Sequence, residues 1–82
     1  MFKVGEVSNY FDKIGIAIVT LDNTLSVGDK IKFVLDNQDL FEQAVESIQI
    51  EHKKLDSANR GSVVALKTNE AVKAGTEIFK AS

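Results

Sequence analysis

The chain has 82 residues with ten basic and twelve acidic side chains, one histidine, and no cysteine or proline. That length holds one domain, residues 1–82, and leaves no room for a second core; without thiols, and with a single imidazole, disulfides and multi-ligand zinc sites are excluded. A formal charge of -2 argues against capturing nucleic acid by bulk electrostatics, which needs many Lys and Arg contacts to phosphate, and leaves scope only for a local basic patch.

The start, Met1 to Glu6, has no signal-peptide apolar core, and no apolar run approaches the ~18 residues of a membrane span, so a soluble cytoplasmic protein is expected. Asp12-Lys13-Ile14-Gly15 matches the D-x-x-G of a GTPase switch. No G-x-x-x-x-G-K-[ST] phosphate loop accompanies it, so it reads as a turn and no nucleotide is expected. Ile14 to Leu21 is rich in β-branched residues and too short for a typical helix, which predicts a strand covered on both faces. Asp22-Asn23-Thr24 breaks it, and Leu25 to Asp29 forms a tight turn around Gly28. Lys30 to Leu35 then sets Ile31, Phe33 and Leu35 against lysines, the alternation of a half-exposed strand.

After the loop Asp36 to Asp39 the pattern becomes ambiguous. Leu40, Phe41, Ala44, Val45 and Ile48 fall at helical spacing, and Asp39 with Glu42 can form a capping box. On local pattern a helix from about Asp39 to Lys53 is favoured. The extended alternative needs a β-bulge between Val45 and Ile48, where the apolar parity changes. Ser62 to Thr68 and Glu77 to Ala81 complete the strands, with a turn at Ala74-Gly75 between them. No linker, low-complexity tract or internal repeat interrupts the chain.

Three stretches, in order, carry a resemblance. The first is Gly15 to Leu21 running into Leu25-Ser26-Val27-Gly28-Asp29-Lys30-Ile31. The second is Val45-Glu46-Ser47-Ile48-Gln49 followed by Ala58 to Leu66, and the third is Val72-Lys73-Ala74-Gly75-Thr76-Glu77-Ile78. Together they resemble the β-barrel second domain of elongation factor Tu and related translational GTPases. Lys3 to Phe11 and Ile48 to Lys53 are similar to the short stand-alone elongation factor-like proteins that keep this barrel alone. The resemblance implies an all-β fold, a small closed antiparallel barrel of six or more strands with Greek-key connections. It also turns the middle segment into a long bent strand, because a barrel removes its edges only when every strand has two neighbours. Two departures matter: Thr76 replaces the usual aspartate, and Val19 to Asp22 lacks the glycine and basic residue of tRNA-carrying relatives. Aminoacyl-tRNA delivery therefore does not carry over.

No reaction is spelled out. His52 sits among charges and reads as a solvated residue with no second group to orient it. Asp36 and Asp39 are too few oxygen ligands for a hard cation. No metal or cofactor is expected, and the chain is expected to be non-enzymatic. Two binding surfaces remain open. Lys53, Lys54 and Arg60, joined by Lys13, are candidate contacts to tRNA or rRNA backbone, with Tyr10, Phe11 and Phe41 available for stacking on bases. Ile16, Ile18, Val63 and Ala65 lie in runs that are apolar on both faces, whereas a barrel interior uses only one. They are the candidate interface to a protein partner or to a second copy in a homodimer.

Overall fold

The structure, a computed structural model, describes residues 1–80. Ala81, the expected end of the last strand, lies outside them. Ten strands and no helix make up the described residues: β1 Phe2–Phe11, β2 Ile16–Leu21, β3 Leu25–Ser26, β4 Lys30–Leu35, β5 Gln38–Ala44, β6 Ile48–Ile50, β7 Lys53–Leu55, β8 Ser57–Ala58, β9 Val63–Lys67 and β10 Glu77–Lys80. The all-β expectation holds, and the middle segment is extended.

Eight strands form one antiparallel sheet in the order β5-β4-β10-β1-β2-β9-β6-β7, with β3 and β8 pairing separately. The expected closure is not made by a backbone ladder, since the border strands β5 and β7 are not hydrogen-bonded neighbours. The sheet instead returns on itself through the chain. β5 pairs with β4 at one border, and only residues 45–47 separate it from β6, which pairs with β9 near the other. Val45 and Ile48 are both buried three residues apart, so the parity change falls where the extended reading needed it. Gly28 donates its N–H to the Val45 carbonyl (2.9 Å), and Val45 donates to the Asp29 carbonyl (2.8 Å), which fixes the bend.

One side chain bridges the remaining gap. The Gln43 amide donates to the Lys67 carbonyl at 2.8 Å and accepts from the Asn69 N–H at 2.7 Å. It does for β5 and the end of β9 what a peptide unit does in a ladder, and at 6% exposure it does so out of water. A buried amide is tolerated only when so satisfied.

β1 carries two bulges, at Lys3/Gly5 against β10 and at Val7/Asn9 against β2. They let Val4 and Val7, three residues apart, both reach the core. That spacing hides the strand from an alternation reading. Gly5 is required there: a Cβ would lie 2.7 Å from the Thr20 carbonyl oxygen and 2.9 Å from Val19 Cγ1. The core gathers Val4, Val7, Ala17, Val19, Leu21, Ile31, Phe33, Ile48, Val64, Leu66 and Ile78, with Phe41 stacked on Phe33 at 4.4 Å between centroids. Fifteen-odd small and branched side chains are what an 82-residue chain has to offset its ordering entropy.

Candidate interaction surface

β2 alternates without fault. Ala17, Val19 and Leu21 are buried, while Ile16 and Ile18 stand half-exposed on the other face. β9 repeats the arrangement, with Val64 and Leu66 inward and Val63 and Ala65 outward. The expectation that Ile14 to Leu21 is covered on both faces is therefore corrected. Ile14 and Gly15 belong to a turn, with Ile14 67% exposed, and the strand begins at Ile16.

Because directly paired residues in a sheet share a face, the ladders build rungs across the outer surface. One runs Asn9–Ile18–Ala65–Gln49–Lys54, spanning β1, β2, β9, β6 and β7. The rung on one side is Phe11–Ile16–Lys67, and on the other Glu6–Thr20–Val63. All four interface candidates, Ile16, Ile18, Val63 and Ala65, thus lie on one face. Phe11, at 46% exposure, extends it, and Val63 is 54% exposed. Phe11 was assigned no place on this face from sequence, although the Asp12–Gly15 turn fixes its pairing with Ile16. Taking the first strand as the hairpin partner of the second finds it.

The basic candidates do not form a single patch. Lys53 and Lys54 lie on border strand β7, opposite Ile50 and Gln49. Arg60 precedes Gly61, whose N–H meets the Leu21 carbonyl at the far end of β2 (2.9 Å). Lys13 sits in the turn at the near end of that strand. Six residues at ~3.3 Å each separate the two ends by about 17 Å. Of the stacking candidates, Tyr10 and Phe41 are half-buried against the core, while Phe11 is exposed.

Charge is distributed unevenly. Every ion pair among the described residues lies on the half of the sheet built by the start of β1, β10, β4, β5 and the residue before β4. Lys3 meets Glu77 at 3.1 Å and Glu6 at 3.2 Å, Lys32 meets Asp39 at 3.1 Å, and Lys80 meets Asp29 at 3.0 Å. A longer contact joins Lys30 and Glu42 at 3.9 Å. Asp39, considered above as half of a cation site with Asp36, is occupied by Lys32. Hydrogen bonds from Lys3 to Glu77 and Glu6 raise its ammonium above the usual range. Burial pushes the Asp29 carboxyl upward, but the Ser26 N–H and the Lys80 ammonium outweigh it and hold the group below the usual carboxylate value. On the β2–β9 face, Lys54 and Lys67 have no such partner among the described residues.

Chemistry for bond breaking is not assembled in this surface. His52 is exposed in the β6–β7 turn with φ 67°. The Ser8 hydroxyl donates to the Ile18 carbonyl at 3.2 Å. An open groove of about 350 Å3 lined by Lys3, Glu6, Val7, Ser8, Thr20 and Asp22 lies beside the Glu6–Thr20 rung. No three acidic, His or Cys side chains cluster as a metal site among the described residues, and no helix there is long and apolar enough to cross a membrane.

No family model matches the chain. It is 31% identical over 77 residues to an uncharacterized protease of Methanocaldococcus jannaschii, MJ0090, a match that covers 94% of this chain and 19% of the relative's length. The solved C-terminal domain of a candidate U32 peptidase from Geobacillus thermoleovorans is 27% identical with a TM-score of 0.89, covering 98% of this chain and 92% of that domain. Its selenomethionine variant gives 26% and 0.88. These relatives overturn the kinship with elongation factor Tu and its stand-alone barrels, and with it the reading as a translation-associated RNA- or ribosome-binding module.

Proposed function

We propose that this chain is an accessory β domain of the U32-peptidase type, one that contributes binding to a larger peptidase system and leaves bond breaking to another part. The observation that carries this reading is the likeness to a C-terminal domain solved on its own, which extends over 98% of this chain and 92% of that one. The chain spans about a fifth of the protease it matches, so most of that relative lies outside the matching segment. The disposition of the polar groups supports the division of labour. A nucleophile needs a base within ~3 Å and a group to orient that base, whereas the Ser8 hydroxyl is spent on a carbonyl and His52 projects from a turn.

A domain exchange tests the proposal. The segment of the methanocaldococcal protease that matches this chain is deleted, or replaced by this chain, and hydrolysis of fluorescent casein is followed. The expected result is no cleavage by the isolated chain, a loss with the deletion, and recovery with the exchange. Cleavage by the isolated chain that His52→Ala abolishes, or full activity in the deletion, would overturn it.

A further inference from the structure

We infer that the β2–β9 face binds an acidic amphipathic polypeptide, with apolar side chains seated on Ile16, Ile18, Val63 and Ala65 and flanking carboxylates held by Lys54 and Lys67. The inference goes beyond the accessory-domain reading and does not depend on it.

The three rungs supply its geometry. Their centre is apolar, with Ile16 and Ile18 beside Ala65 and Val63. Their charged positions are Lys67 at the end of one rung, Lys54 at the end of the next, and Glu6 at the start of the third. Glu6 is paired with Lys3 at 3.2 Å, an ammonium it shares with Glu77 at 3.1 Å. The two charges on the face without an ion-pair partner among the described residues are therefore both positive, although the whole chain carries -2.

That asymmetry selects the occupant. A second copy laid on this face would bring apolar surfaces together but add lysines to lysines. A basic segment would meet the same repulsion. A polypeptide that alternates apolar residues with carboxylates satisfies both halves: its apolar side chains leave water at about 25 cal/mol per Å2, and its carboxylates find ammonium groups at the margin. Opposite charges at a partly exposed rim act within a Debye length of about 8 Å at physiological salt, so salt should weaken the contact without removing the apolar part.

The probes are two synthetic peptides, one alternating leucine with glutamate and one alternating leucine with lysine, titrated into the intact chain and followed by amide chemical shifts. The expected result is saturable binding of the acidic peptide, with shifts confined to β2, β9, β6 and β7, and at least tenfold weaker binding of the basic one. Lys54→Glu combined with Lys67→Glu should weaken the acidic peptide about tenfold and strengthen the basic one. Val63→Ser should weaken both. All three positions are exposed, and circular dichroism confirms that the variants fold. Equal binding of the two peptides, shifts centred on another face, or self-association through these residues in place of peptide binding each overturns the inference.

Discussion

Replacing Gln43 with alanine removes the one side chain that, among the described residues, hydrogen-bonds β5 to the end of β9. Two hydrogen bonds vanish, and the Lys67 carbonyl and the Asn69 N–H lose their partner. A net hydrogen bond contributes about 1 kcal/mol, and a buried group left without one costs about 1–3 kcal/mol. Some recovery by water entering the seam brings the expected loss to about 2–4 kcal/mol. A domain of this size is stable by only ~0.05–0.15 kcal/mol per residue, so the substitution removes a large part of the margin. At about 4–8 °C per kcal/mol, the melting midpoint should fall by roughly 10–25 °C. Urea denaturation measures the free energy, and hydrogen exchange at the Asn69 amide reports the seam directly. Gln43→Glu refines the reasoning, because a carboxylate can still accept from Asn69 but confronts the Lys67 carbonyl with lone pairs. Protonation restores a donor, so the introduced carboxyl has a raised folded-state pKa. Its favourable contribution is then complete below the unfolded value of about 4.3 and is lost as pH rises through the folded one. Relative to wild type, this variant should be least impaired near pH 4 and most impaired at pH 7. A loss below about 0.5 kcal/mol for the alanine variant, with unchanged exchange at Asn69, would refute the idea that the amide closes the sheet.

Two further expectations follow from local chemistry. The depressed carboxyl of Asp29 contributes stability that is present above the unfolded value of about 3.9 and is lost as pH falls through the lower folded value. Asp29→Asn should therefore cost about 1–2 kcal/mol at pH 7 and progressively less in acid, measured by urea melts across pH. The β6–β7 turn holds Glu51 and His52 at φ 50° and 67°, a region that favours Asn-Gly. The double substitution Glu51→Asn with His52→Gly should stabilise by about 1 kcal/mol, and an unchanged or lower melting midpoint would count against the turn assignment.

Much of the fold was legible because turn chemistry and strand alternation are local. Lys30 to Leu35 was read with its boundaries, and Ile31 and Phe33 are buried as expected. β1 escaped notice because its two bulges destroy the period of two, and β7 because all three of its residues are exposed. The middle segment is the instructive case. Helical spacing arose there because a break at residues 45–47 shifts the parity between two short runs, and periodicity cannot distinguish that from a helical turn. The resemblance that corrected it was right about the all-β fold and the extended middle segment, but wrong about ladder closure and about kinship. Its motifs centre on Gly28, Gly61 and Gly75, which adopt φ of 95°, 88° and 93°. Such glycines are demanded by the turns of a curled sheet, whatever the sheet is for. The shared outward face of Ile16, Ile18, Val63 and Ala65 was legible for a related reason, since strands apolar on both faces announce surplus surface. Where Lys54 and Lys67 stand beside it was not, because that depends on register between strands distant in sequence.

Strict alternation in β2 and β9 separates two sets of constraints within the same eleven residues. Inward positions are constrained by packing, where even one added methylene is felt, while the outward ones are half-exposed or exposed. Substitutions at Ile16, Ile18, Val63 and Ala65 should therefore change the outer surface of the sheet at little cost to the packed scaffold.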